Sequence, residues 1–450
     1  MITKIKKKVG LLLDDRRLSS ILTGSVWTLL ALIFSAGFGL ICSVVVARFY
    51  GPEVMGTLAV INAYLTVATV LAVFGTDISI LRIVPEHFAK YSLLSAFRIY
   101  RKTHLLVISI SLVIGLFSFF FSRLIAFSVF SKPHLTAFFM LASFFIVFKA
   151  SMILNTQALR GFLLVRWYAF MLILPQGLNL LLLLVLGFLV ESMAVPIYSQ
   201  LGAYAIAGMA GWIIIKSTFR VPVEAGAVIQ NVGVADILSI SMPMLMTTAM
   251  MFIIAQTGII MLGMFRSEAE VGYYTIAARM SIVTAYIIGA VNSMVGPKFS
   301  ELFHSGRIDD LFYVAKKSAK LIFLTTVPIL LFFIAFGKPL LRMIFGDEFV
   351  AAYFALVLLS IGQFVYAVSG ATFLFMNMTG NQKMLRNIMI FAALSNIGLN
   401  LLLIPKNGII GAAVAALSCL IVLNLLTLTY IKFKFGKTTG YFPWLTKIRP

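Results

Sequence analysis

Apolar residues run along this chain in blocks of roughly 18 to 25, the length needed to cross a hydrocarbon core as a helix at about 1.5 Å per residue. Twelve such blocks are predicted as spanning helices, near 24–47, 57–80, 105–127, 135–157, 167–190, 194–215, 241–264, 273–296, 319–341, 351–375, 387–404 and 408–431. The strands of a membrane barrel would be about ten residues long and would alternate in polarity, so the pattern predicts helices.

Polar breaks between the blocks carry an internal echo. The stretch RFYGPEVMGTLAVINAY, Arg48 to Tyr64, is followed 216 residues later by MFRSEAEVGYYTIAARM, Met264 to Met280, which aligns Met55 with Val271 and Gly56 with Gly272. GLNLLL occurs at Gly177 to Leu182 and again at Gly398 to Leu403, each time within the fifth helix of a six-helix half. An even number of helices per half makes the repeat parallel, about an axis along the membrane normal, a symmetry common in transporters. Gly51-Pro52-Glu53 is expected to be the turn that starts the second helix. Proline loses no hydrogen bond there, and a carboxylate suits the positive end of the helix dipole.

The expected organisation is a basic cytoplasmic segment at 1–23, a first lobe of six helices at 24–216, a cytoplasmic linker at 217–240, a second lobe at 241–431 and a basic cytoplasmic tail at 432–450. Pro222, Gly226 and Gly233 fall in the linker. Gly37, Gly39, Pro175 and Pro328 are candidate bends within spans.

Composition fits lipid as the solvent: 61% of the 450 residues are hydrophobic and 11% are charged, against about 25% charged in a soluble domain. Mean hydropathy is +1.04. With the amino terminus inside, 27 of the 36 Lys and Arg residues fall on cytoplasmic segments, so the positive-inside rule predicts that both termini are cytoplasmic. The net charge of +21 is then explained by topology and contact with anionic lipid, without nucleic acid. The basic amino-terminal segment is broken by Asp14 to Arg17 and does not read as a cleavable signal peptide.

Cys42 and Cys419 lie inside spans and read as packing residues, and His87, His104, His134 and His304 lack ligand spacing and read as solvated or interfacial. No metal site and no cofactor are expected, and no catalytic constellation appears. Charges inside spans are costly and tend to face a bundle interior or water. Arg279 and Lys149 qualify, and Thr275, Tyr286 and Ser293 fall within about 40° of Arg279 on an ideal helix. Asn62, Thr66, Thr69 and Asp77 form a polar stripe on the second span; Asp77 is either an interfacial partner of Arg82 or a coupling site for Na+ or H+. Gln256, Gln363 and Asn377 could bond a sugar or join helices. Arg279, Lys149 and Arg48 together suit a diphosphate, since guanidinium and ammonium groups pair with phosphate oxygens.

The segments ARFYGPEVMGTLAVI, FGTDISILRIVPEH, LRGFLLVRWYAF and MNMTGNQKMLRNI make the chain resemble a polysaccharide (O-antigen type) flippase of the multidrug/oligosaccharidyl-lipid/polysaccharide (MOP) exporter superfamily. The resemblance covers nearly the whole chain. It implies an all-α integral membrane protein of about twelve transmembrane helices in two six-helix lobes, a V-shaped MATE-like bundle around a cationic cavity lined by helices one, two, seven and eight. It further implies translocation of undecaprenyl-diphosphate-linked oligosaccharide, an O-antigen or other surface polysaccharide unit in lipopolysaccharide biosynthesis, to the outer leaflet by alternating access. The substrate-binding candidates are Arg279, Lys149, Arg48, Asn62, Gln256 and Tyr286, with Asp77 as the coupling candidate. Expected partners are the lipid-linked oligosaccharide, anionic lipids and other polysaccharide-assembly membrane proteins. The competing readings are a cation-coupled drug or metabolite antiporter of the same superfamily, a membrane-embedded polysaccharide polymerase or glycosyltransferase, and a non-transporting scaffold.

Overall fold

A computed structural model describes residues 16–219 and 232–441, with the side chains of a few residues, Tyr286 and Ser293 among them, outside the description. Half of the expected linker, including Pro222 and Gly226, and residues 1–15 and 442–450 likewise lie outside the described residues.

All regular structure among the described residues is helical, and nine helical stretches are long and apolar enough to cross a membrane. Two of these stretches hold two spans each, because Gly51 (φ 80°) and Gly408 (φ 52°) adopt a left-handed backbone that breaks a right-handed helix. A further span is interrupted at Ile282. With the second spans of these two stretches and the interrupted span added to the nine stretches, the described helices accommodate the twelve predicted spans. In chain order the helices are α1 (16–50), α2 (52–73), α3 (Thr76–Lys90), α4 (Leu93–Phe120), α5 (Thr136–Gly161), α6 (Val165–Leu189), α7 (Val195–Thr218), α8 (Val234–Phe265), α9 (Glu268–Ser281), α10 (Val283–His304), α11 (Ile308–Phe345), α12 (Tyr353–Ser369), α13 (Thr372–Met378), α14 (382–407) and α15 (409–435).

Three expectations about helix ends are corrected. The second span stops at Val73 rather than residue 80, because Phe74 (φ 52°) and Gly75 (φ 74°) are both left-handed. Asp77 therefore lies in the first turn of the separate helix α3, not inside the second span. The tenth span divides at Gly370 (φ 71°), whereas Pro175 and Pro328 sit inside unbroken helices. Glycines at left-handed positions, rather than prolines, set most of the breaks.

The described residues fall into two compact units. The first comprises residues up to Cys42, Leu65–Leu124 and His134–Met246. Its interior is held by side-chain hydrogen bonds between helices, where no hydrophobic driving force acts and every polar group needs a partner. Tyr100 on α4 donates to Asn155 Oδ1 on α5 at 2.8 Å, and Asn155 Nδ2 donates to Ser151 Oγ at 3.1 Å and to the Gly208 carbonyl of α7 at 3.3 Å. His104 joins the cluster through Nε2, 2.9 Å from Ser151 Oγ. His104 and His87 are thus buried, His87 lying 3.4 Å from Ser95 Oγ, so the solvated half of the solvated-or-interfacial reading does not hold for these two.

The second unit takes Ser43–Tyr64, Ile125–Pro133 and the chain from Thr247 onward. Its core includes an aromatic cluster of Phe299 (α10), Phe312 (α11), Phe375 (α13) and Phe435 (α15), with centroids 5.2 to 5.8 Å apart in four of the ring pairs. Asn381 Oδ1 accepts from Tyr430 at 3.1 Å and from Lys434 at 2.5 Å, tying the end of α15 to the start of α14. Both cysteines are free and buried, as packing residues would be.

Candidate functional site

The first unit places one charge deep among its helices. Lys149, midway along α5, is 7% exposed. Its Nζ donates to Thr66 Oγ1 on α2 at 2.9 Å and stands 5.0 Å above the ring centroid of Tyr204 on α7. Gln200, one turn before Tyr204, donates to the Tyr204 hydroxyl at 2.9 Å. The ammonium thus has one oxygen acceptor and one π face, and among the described residues no carboxylate pairs with it. A cation in such surroundings is an attractive seat for an anion, because burial strengthens the field of an uncompensated charge.

A second cation lies in the second unit. Arg279 closes the last turn of α9, where a positive charge suits the negative end of the helix dipole. It is half-buried and its Nη1 donates to the hydroxyl of Ser43, a buried residue of α1. Thr275, one turn earlier, spends its hydroxyl on the Val271 carbonyl at 2.7 Å.

The repeated Gly-containing segments meet within this same unit. A Cβ on Gly56 would collide with the carbonyl oxygen of Glu268, and a Cβ on Gly272 would collide with the carbonyl oxygen of Pro52. Pro52 and Gly56 correspond to Glu268 and Gly272 under the 216-residue shift, so the first turns of α2 and α9 pack backbone to backbone about a local twofold. Only glycine permits that approach. The Glu268 carboxylate forms an ion pair with Lys132 at 3.3 Å, both side chains largely buried.

The other sequence candidates are dispersed. Arg48 is exposed, and its guanidinium caps the carboxyl end of α11, donating to the carbonyls of Ile344 at 3.0 Å, Arg342 at 3.4 Å and Met343. Arg266, not singled out by the sequence, does the same for α14 through the carbonyls of Ile404 at 3.1 Å and Pro405 at 2.9 Å. Asn62 is half-buried on α2, four residues before Thr66, and Gln256 is half-buried on α8. The Tyr286 side chain lies outside the described residues. Asp77 is half-buried at the start of α3. Sequence reasoning missed Tyr204 and Gln200, whose place beside Lys149 has no signature in the spacing of a single helix.

Comparison with known proteins agrees with this architecture. The profile of the family described as Polysaccharide biosynthesis protein matches residues 45–353. A probable low-salt glycan biosynthesis flippase, Agl15 of Haloferax volcanii, is 27% identical over 157 residues, 34% of this chain and 33% of its own length. An uncharacterized membrane protein, MJ1068 of Methanocaldococcus jannaschii, is 24% identical over 205 residues, 45% of this chain and 40% of its own. The chain therefore spans well under half the length of these two relatives in alignment. Among solved structures, the lipid II flippase MurJ in an inward closed conformation gives a TM-score of 0.73 at 18% identity, covering 91% of this chain and 87% of that one. An inward-facing MATE family multidrug resistance transporter of the MOP superfamily gives 0.68 at 15% identity, covering 89% and 94%. At such identities the likeness is one of fold: a multi-pass helical membrane bundle of the MOP kind.

Proposed function

Because the chain belongs to the polysaccharide biosynthesis protein family, we propose that it is a flippase, carrying undecaprenyl-diphosphate-linked oligosaccharide, an O-antigen or other surface polysaccharide unit, from the cytoplasmic to the outer leaflet of an inner (plasma) membrane. The observation that carries the reading is the buried Lys149 ammonium, held by a hydroxyl and an aromatic ring, with no paired carboxylate among the described residues. Such a group favours an anion when protonated, and it offers no negative charge to the cationic drugs an antiporter would take. In this reading Lys149, with Thr66, Tyr204 and Gln200 beside it, attracts the cargo's diphosphate, and Arg279, Asn62, Gln256 and Tyr286 are further substrate-binding candidates. Arg48, engaged with the end of α11, acts at the rim.

Transport proceeds by alternating access between two six-helix lobes, 24–216 and 241–431, with both termini and the 217–240 linker in the cytoplasm. The paired glycine turns of α2 and α9 are then the outer closure, which parts when the cargo leaves. Asp77 is the candidate carboxylate for Na+ or H+ coupling. Other polysaccharide-assembly membrane proteins supply the cargo and receive it. The test is flipping of a labelled lipid-diphosphate oligosaccharide in proteoliposomes under an imposed ion gradient. Movement by the native protein and its loss in Arg279→Ala support the reading; a native protein that leaves the lipid where it was overturns it.

A further inference from the structure

Lys149 differs from the other span-embedded cation in what surrounds it. Every partner of its ammonium is neutral: the Thr66 hydroxyl and the Tyr204 ring. The helices packed around α5 bring few ionisable groups, and these are engaged elsewhere or stand apart. On α4, His104 is turned to Ser151 and stacked on Tyr100, with ring centroids 5.6 Å apart. On α3, Glu86 pairs with Lys90 at 2.6 Å and with Arg82 at 3.9 Å, and Asp77 makes no ion pair among the described residues. On α5 itself Arg160 lies over the Tyr168 ring of α6, and on α7 Lys216 lies over Trp212. Among the described residues no carboxylate pairs with Lys149.

A permanent cation in that position would have to be carried, unbalanced, through every empty return of the transporter. Lysine differs from arginine in being able to discard its charge when buried, because its ammonium can lose a proton while a guanidinium cannot. We propose that Lys149 is a switchable charge, taking up a proton as the diphosphate of the cargo arrives and releasing it to water when the cargo leaves. The site is then cationic only while an anion occupies it. The inference rests on the flippase reading and deepens it.

Linkage makes the effect reciprocal. If the anion favours the ammonium form, the ammonium form favours the anion by the same factor, so cargo binding weakens as pH rises and consumes a proton from solution. Thr66 suits both forms: its hydroxyl oxygen accepts from the ammonium, and its hydroxyl hydrogen can be offered to the lone pair of the neutral amine.

The test is calorimetric binding of undecaprenyl diphosphate to the detergent-solubilised full chain in two buffers of different ionisation enthalpy. Work at about pH 8.5 stays above the range near 6 where phosphate oxygens themselves titrate. The native protein is expected to take up a sizeable fraction of about one proton more than Lys149→Arg, which keeps its charge at all accessible pH values. Lys149→Arg should still bind, and Lys149→Met should bind at least tenfold more weakly, by the ~1.4 kcal/mol that corresponds to a factor of ten, with no excess proton uptake. Equal proton counts in the native protein and in either variant overturn the inference while leaving the flippase reading intact. A native protein that does not bind the probe removes the flippase reading, and the inference with it.

Discussion

Gly56 stands so close to the carbonyl oxygen of Glu268 that a single added carbon would not fit, and the reciprocal contact of Gly272 with Pro52 repeats the relationship across the 216-residue shift. Two short helical turns thereby meet without side chains between them. Replacing either glycine by valine should force them apart, at a cost of about 1–3 kcal/mol typical of overpacking, or more because the opposing atom is backbone. Cysteine reporters placed on the first turns of α2 and α9 would then react faster with a membrane-impermeant maleimide. Unchanged labelling in both variants would mean that the contact does not hold the turns closed.

Arg279→Ala should reduce flipping by at least about 30-fold, the ~2 kcal/mol lower bound for truncating one partner of a buried charged contact. Arg279→Lys should keep part of the activity by keeping the charge. Measured side by side in proteoliposomes, equal losses in the two variants would show that guanidinium geometry, and not charge alone, is what the site requires.

The Lys132 and Glu268 pair predicts strong non-additivity. Either single replacement, Lys132→Met or Glu268→Gln, leaves a largely buried charge unmatched and should cost several kcal/mol, whereas the double replacement should cost much less. Thermal melts of the four proteins in detergent supply the cycle. Additive losses would assign the two residues independent roles.

Arg48→Ala should lower stability by about 0.3–1 kcal/mol, the worth of a cation at a helix carboxyl end, through loss of its bonds to the last turn of α11. A melt shift of a degree or two, reproduced in Arg266→Ala for α14, is the expected reading. If Arg48→Ala melts like the native chain, the bonds to the α11 carbonyls contribute nothing to holding that helix end.

The helices were legible in the sequence because lipid imposes a length, and the apolar runs of that length fall on helices of the described residues, in nine stretches long and apolar enough to cross a membrane. Gly51-Pro52 was legible as a turn because glycine and proline carry backbone meaning. The break at Ile282 was not, since neither glycine nor proline marks it and its neighbours are ordinary helix formers. Lys149 and Arg279 stood out by cost alone. Their partners did not, because Thr66, Tyr204 and Ser43 are brought to them by packing between helices far apart in sequence. Arg48 shows the same limit: its position near a span suggested a phosphate ligand, but nothing in the sequence announced that its guanidinium lies on carbonyls nearly 300 residues away.

The membership of Ser43–Tyr64 in the second unit also has a kinetic side. This hairpin leaves the ribosome some 216 residues before α9, its backbone partner. At roughly 5–20 residues per second of synthesis, it waits on the order of 10–40 s in the membrane with its glycine face uncovered. Whatever holds it in that interval, lipid, the insertion machinery or the rest of the first six helices, acts as a chaperone for a contact that the finished protein makes only with the product of its own second half.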